Sequence, residues 1–541
     1  MTNASAASPR ALLLALVAIY VLLWSQFAWV SVVNFEGFDE WLTLSLTSRG
    51  LVAVPHANRP LGLMWNLPAA VLFPHSLVGA FIVHVHYLGL AGLLVSLLIW
   101  RLLPEEPVLA FLAGVFTVTW VPSDPLRLSA IYSSAYAGIT MAVLAAALLV
   151  LEAERRRLPA LTLVAAVVAF AAARSHEGTI PLLLVVPLVA FRRRRSLPAI
   201  WLAAFWGAVA AAAVLAALPM VLSGSEGWYQ GSLLEPDFSL RGLLSRELLQ
   251  FRLHLLPLVS TSPAVLLVAA VPVAAGAFVA FYVLIERNLP PAAETSGRKL
   301  LWTTLVGLGA AGLGYSAFVP NSRLVGASRT EFLAAPGIGL ALASAVCLVA
   351  TWLPLRWRRL APAALGAWIV ALGTGRTAAI QAQWERYSFY PRQNRILSQL
   401  VELAPDLRPG TLVVLLDDAG SWPASFTFRH AVRYLYEGRA LGHSPNSWQI
   451  FYPVSLGPDG ARSEPWPVIR EAWRESPSVH RYGELVVVRG DPSGRLSLLE
   501  EWPSQSLPPL PPGARYDPRA RILSRTLPAP SWAVLTRRSA P

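Results

Sequence analysis

Long apolar runs, cut by short polar segments, fill the first 382 residues of the chain. They lack the period-two alternation of a half-buried strand and the polar stripe of a surface helix, so each reads as a helix apolar on every side. About 20 such residues cross the roughly 30 Å hydrocarbon core of a bilayer. About eleven runs qualify, near residues 11–33, 76–100, 107–122, 130–151, 158–173, 178–191, 198–222, 262–285, 301–319, 331–352 and 360–381. The first is longer than a signal-peptide core and has no small-residue cleavage site behind it, so it is expected to remain as a span. Residues 61–73 are apolar but too short to cross; they fit a helix lying in the interface or re-entering it, with Trp65 near the headgroups.

After residue 382 the pattern changes. The chain becomes polar and proline-rich, and 411–416 (TLVVLL) and 484–489 (ELVVVR) read as short strands. Residues 1–382 are therefore expected to form a polytopic α-helical membrane domain, and 383–541 a small C-terminal α/β domain. The prolines between about 502 and 530 predict an irregular end.

Composition agrees with that reading: 55% of the 541 residues are hydrophobic, and only 14% are charged against about a quarter in soluble proteins. The net charge of +13 changes the picture only through its placement. Arginines cluster at 155–157, at 192–195, and at Arg356, Arg358 and Arg359, with Arg101, Arg287, Arg298 and Lys299 in other short connections. With the N-terminus in the cytoplasm every strong cluster falls inside, as the positive-inside rule requires. A nucleic-acid surface would instead be a basic patch on a folded polar domain. The lone Cys347 excludes an internal disulfide and a cysteine metal site.

This topology sends a set of polar residues to the opposite, extracytoplasmic side. Glu36, Asp39 and Glu40 follow the first span in FEGFDEW, where a carboxylate in a partly dry cleft can act as general base toward a hydroxyl. His56, Asn58 and Arg59 lie in HANRPL, and an arginine fork suits a phosphate. Arg174, His176 and Glu177 form a polar knot in a turn between two apolar runs. Asp124, Arg127 and Tyr132, and Arg323, Arg329 and Glu331, form two further sets. Charges this close to hydrocarbon are costly unless paired or facing a cavity, and five loops supply them at one membrane level. No metal-ligand spacing is evident. His84 and His86, two apart on a helix, face different directions.

Three of these elements, in order, resemble the motifs of GT-C-type membrane glycosyltransferases, especially protein O-mannosyltransferases of the transmembrane tetratricopeptide-repeat type and their bacterial relatives. They are Asp39-Glu40 in FDEW, Asn58-Arg59-Pro60-Leu61 with Asn66 downstream, and Ser175-His176-Glu177 running into Gly178 and Pro181. The chain departs in having His176 where those relatives often have lysine, and in lacking tetratricopeptide repeats. The resemblance implies a GT-C-like fold and transfer of a sugar from a polyprenyl-phosphate donor to an acceptor hydroxyl on a protein, lipid or glycan. It implies Asp39 as catalytic base with Glu40 able to share that role, and a donor site shaped by Arg59 and the Glu177 knot. One or more of Arg59, Arg174, Arg323 and Arg329 would stabilise the departing phosphate, and a single displacement would invert the anomeric centre. No cofactor is implied, although the carboxylates leave room for a divalent metal. Two other classes compete. A polysaccharide ligase or polymerase would use the loop 223–261 with Arg241, Arg246 and His254, and a transporter would need ionisable groups within the span cores.

Overall fold

The computed structural model describes residues 9–51, 59–120, 124–188, 199–223, 235–256, 263–288, 296–324, 331–354, 356–358 and 360–535. Through residue 382 the chain is helical. α1 (Pro9–Phe27), α4 (Leu77–Leu102), α5 (Pro107–Thr119), α6 (Ala130–Arg156), α7 (Ala160–Ser175), α9 (Ala199–Ser223), α11 (Pro263–Asn288), α12 (Gly297–Ser316), α13 (Glu331–Thr351) and α14 (Leu360–Ala382) build an apolar bundle. Smaller helices decorate it: α2 (Asp39–Ser48), α3 (Leu67–Leu72), α8 (Ile180–Val185) and the polar α10 (Leu240–Leu255).

Among the described residues five helices are long and apolar enough to cross a membrane, those at 77–102, 130–156, 199–217, 331–351 and 360–382. The chain is thus a multi-pass membrane protein. The expected count of about eleven full spans is not reproduced. α5 and α7 have 13 and 16 residues, and at 1.5 Å per residue they are shorter than the hydrocarbon core. The 178–191 run folds at its start into a three-residue 3-10 turn and the six-residue α8. The 61–73 segment does form a short structure beside the bundle, a 3-10 turn at Gly62–Asn66 leading into α3. Val71 and Leu72 on it stay 66% exposed, as an interfacial helix requires.

Small residues set the helix spacing where hydrophobic contrast between helices is lacking. α12 and α13 meet across Gly307 and Gly314. A methyl group on Gly307 would lie 2.7 Å from the backbone nitrogen of Ala341, and one on Gly314 would lie 2.7 Å from that of Ala334.

The C-terminal region opens with α15 (Tyr390–Leu403) and the short strand β1 (Asp406–Leu407), followed by a four-stranded sheet. β2 (Thr411–Asp417) pairs in parallel with β3 (Ala440–His443) and β7 (Leu485–Gly490), and β8 (Leu496–Leu498) closes the edge antiparallel. All seven residues of β2 are buried, the composition expected of a central parallel strand. The crossover helix α16 (Ser425–Leu435) lies between β2 and β3 in sequence and packs against α2. An antiparallel sheet of β4 (Val454–Gly457), β5 (Gly460–Ser463) and β6 (Ser478–His480) follows α16.

The α12–α13 packing yields a direct test. Gly314→Ala should overpack that contact, at a typical cost of about 1–3 kcal/mol, and lower the melting temperature in detergent. Gly309→Ala on the same helix, where an added methyl meets nothing within 4 Å, should leave it unchanged.

Candidate active site

Asp39 and Glu40 open α2 on neighbouring positions, about 100° apart around a helix, and the chain uses that angle to separate them. Glu40 turns inward and is fully buried. Its carboxylate accepts hydrogen bonds from the backbone amides of Glu36 and of Gly37, the latter at 3.0 Å, and from the Ser129 hydroxyl. Burial outweighs these bonds and pushes its carboxyl up to about 7. Glu40 thus holds the turn together and joins it to the start of α6, rather than presenting a second base to solvent. Asp39 is half-buried, and its backbone oxygen accepts the Thr43 hydroxyl at 3.1 Å.

The turn is also clamped from the C-terminal region. The Gln393 amide donates to the Gly37 oxygen at 2.8 Å and accepts from the Trp41 indole at 2.8 Å. Ser388 donates to the Phe35 oxygen at 2.6 Å. Gly37 has φ +88°, and a Cβ there would lie 2.9 Å from the Tyr390 nitrogen, so only glycine fits. The far end of α2 is tied down as well. Ser45 meets His430 at 3.0 Å, and Arg49 donates to Glu475 at 2.7 Å while Arg433 grips the same carboxylate. Burial works against that charge, but Arg433 and Arg429 hold the Glu475 carboxyl down at about 2.

The second and third sequence elements meet directly. Arg59 takes Glu177 with both prongs of its fork, Nε at 2.8 Å and Nη2 on the second oxygen. Burial opposes ionisation of Glu177, but the Arg59 charge holds its carboxyl well below the usual range. The Trp65 indole donates to Ser175 Oγ at 3.0 Å, and Ser175 donates to the Leu61 oxygen at 3.3 Å. Trp65 lies against Gly138 of α6, where a Cβ would come within 2.6 Å of the ring. Arg174 is 7% exposed, and its Nη1 has no hydrogen-bond partner among the described residues.

His176 accepts the Gly178 amide at 3.1 Å and lies between the rings of Tyr136 and Phe318, at 5.3 and 5.4 Å. Burial, helped by the Arg59 charge, lowers its ring to about 3, so it is neutral at physiological pH. Tyr136 continues the contact to Tyr132 at 5.5 Å and to Phe332 at 5.9 Å, and Arg127 covers Phe332 at 5.7 Å. Asp124 caps the turn Pro125–Leu128 through the Leu126 amide. Arg127 is buried and donates to the Val118 oxygen at 2.7 Å.

Of the remaining sequence candidates, one separates from this group and three lie outside the described residues. Arg323 pairs with Glu235 on the surface, because the bridge between Pro236 and Asn321 brings those loops together. His56, Asn58 and Arg329 fall outside the described residues. A feature the sequence reading left as scattered charges is a set buried among α5, α13 and α14. Arg376 lies over the Trp120 ring at 4.7 Å, its guanidinium makes no hydrogen bond among the described residues, and Glu331 is within its electrostatic reach along with Arg127. His84 joins it through a 3.1 Å contact with the Arg127 oxygen, whereas His86 faces Tyr20.

No protein-family model matches the chain, and no curated protein does. Among solved structures, ArnT from Cupriavidus metallidurans bound to undecaprenyl phosphate is similar over 79% of this chain and 85% of that one, at 15% identity and a TM-score of 0.39. A likeness that loose carries no argument about this chain.

Glu40 makes the anchoring of the turn pH-dependent. Its carboxyl titrates higher in the folded chain than in the unfolded one, so the stability contributed by protonated Glu40 is complete below about pH 4.5 and is lost as pH rises through about 7. The melting temperature of wild type relative to Glu40→Gln, followed from pH 5 to 8 in detergent, should fall with rising pH. A flat difference would contradict the burial argument.

Proposed function

We propose that the chain is a membrane glycosyltransferase that moves a sugar from a polyprenyl-phosphate donor to an acceptor hydroxyl on the extracytoplasmic side. The observation that carries this reading is the two-pronged Arg59–Glu177 pair, backed by Trp65, Ser175 and Leu61. It knits two of the three sequence elements into one polar surface, while Asn66 beside that surface shares a cavity with Thr43 of α2. The likeness of those elements to GT-C enzymes points the same way.

The two ends of the bundle support this orientation. On α4 and α6 the Arg101–Glu152–Arg156 cluster lies at the end opposite Ser76 and Ser129. Basic clusters favour the cytoplasm, which supports an extracytoplasmic candidate site and C-terminal region. In the reaction, Asp39 takes the proton of the acceptor hydroxyl as its oxygen attacks the anomeric carbon. The bond from that carbon to the phosphate oxygen breaks with the electron pair leaving on phosphate. Arg174, whose Nη1 has no hydrogen-bond partner among the described residues, binds the phosphate as its charge grows, and Glu177 holds Arg59 beside it. One displacement inverts the anomeric centre.

A second reading draws on the buried Arg376, Glu331 and Arg127. Ionisable groups at membrane depth are the usual mark of ion or substrate pathways, which favours a transporter. The ligase reading gains nothing: Arg246 is held by Asp237 at 2.8 Å and His254 by Tyr315 at 2.7 Å.

Incubating the purified protein in detergent with a radiolabelled polyprenyl-phosphate sugar and crude membrane acceptors separates the two, since no gradient exists there to transport along. Label should move from donor to acceptor, and Asp39→Asn should abolish transfer while donor binding persists. Wild-type turnover in Asp39→Asn would remove that residue from the mechanism. Arg174→Ala should lower turnover by about 10²-fold, the usual loss for one transition-state donor. Product carrying the donor's anomeric configuration would exclude the single displacement.

A further inference from the structure

A cavity of about 250 Å³ lies between α2, α3, the start of α4 and the C-terminal α16. Among the described residues no arginine, lysine or carboxylate lines it. Those described walls lack the arginine and lysine that normally meet a phosphate. What the walls do supply is neutral hydrogen-bonding capacity against apolar surface, the lining suited to a small uncharged ligand.

Asn66 is the sharpest feature. It is 7% exposed and lines the cavity, and its side chain does not cap the helix that follows it. An amide offers a donor and an acceptor side by side, which matches two neighbouring hydroxyls on one ring. Across from it, Thr43 and Thr47 each spend their proton on the backbone, on Asp39 O and Thr43 O. Their oxygens therefore remain as acceptors. His75 and Tyr434 face the same space, fixed to each other at 2.7 Å, and Phe73 lies on Gly79.

The position matters as much as the lining. Asp39, Thr43 and Thr47 follow one another at four-residue spacing, a single row along α2 with about 5–6 Å between neighbours. The row leads from the candidate base into the cavity. Its volume is below the roughly 300–1,000 Å³ of pockets for drug-sized molecules, which suits one ring.

We propose that this cavity is a seat for a single neutral sugar ring, with Asn66 as its main hydrogen-bonding residue and the Thr43–Thr47 face of α2 opposite. The ring belongs to the acceptor or to the donor, the same chemistry from two sources. The seat deepens the glycosyltransferase reading and rests on it for the identity of the ligand.

The test uses the full chain in lipid nanodiscs and a diazirine-bearing octyl glucoside as photolabel, with crosslinks mapped by mass spectrometry. Label is expected on segments 39–48 and 66–77, competed by millimolar methyl hexosides and not by inorganic phosphate. Asn66→Ala should reduce the competed label about fivefold, one hydrogen bond's worth. Ala69→Phe, which fills the space, should remove it, and Thr47→Val offers a near-isosteric check if the larger change prevents folding. Added polyprenyl-phosphate sugar that displaces the label assigns the seat to the donor; label that persists beside bound donor assigns it to the acceptor. Label that methyl hexosides do not compete, that phosphate competes, or that survives in Asn66→Ala and Thr47→Val overturns the proposal. Asp39→Asn should keep the label, so failure of the catalytic reading and failure of the seat give different results.

Discussion

A carboxyl group taken out of water must find hydrogen-bond partners or it destabilises the fold, and Glu40 finds them in two backbone amides and Ser129, although burial still raises its affinity for a proton. The rest of the candidate site depends on this. With Glu40 fixed inward, the loop from Asn34 to Phe38 has one shape, α2 has one rotation about its axis, and Asp39 has one direction in which to face. The same contact ties α2 to the first turn of α6, the helix that carries Tyr136 and Gly138 beneath the Arg59–Glu177 pair.

The C-terminal region is part of that arrangement rather than an appendage. Gln393 reads both Gly37 and Trp41, and His430, Arg433 and Glu475 hold Ser45 and Arg49. Buried ion pairs seldom add net stability over apolar packing, but they fix geometry. Here the geometry fixed is the seating of α2 against α16, which also forms one wall of the cavity beside Asn66.

The apolar runs and the two longest strands were legible because period and run length are properties of the chain itself. Residues 411–416 and 484–489 correspond to β2 and β7, and the grouping of Arg59 with Glu177 could be anticipated from charge near hydrocarbon. The direction of Glu40 could not. A pair of acidic neighbours carries no mark of which one faces the core until the packing partners Ser129 and Gln393 are known. The surface pairing of Arg323 with Glu235 depends on a bridge between segments more than 80 residues apart. The cavity is similarly invisible, since its walls come from positions 43 to 534. The runs 107–122 and 158–173 are short for full spans in the sequence already, and α5 and α7 end at Trp120 and His176, where polar turns begin.

The clamp on Gly37 and Arg49 has a consequence for synthesis. A growing chain delivers α1 through α14 to the bilayer while Gln393, His430 and Glu475 have yet to leave the ribosome. Until they arrive, nothing grips the first polar turn, and Glu40 has only its own loop and Ser129 to rely on. The first polar turn made is thus the last to be locked, held in its final shape only when the C-terminal region folds back onto the start of the chain.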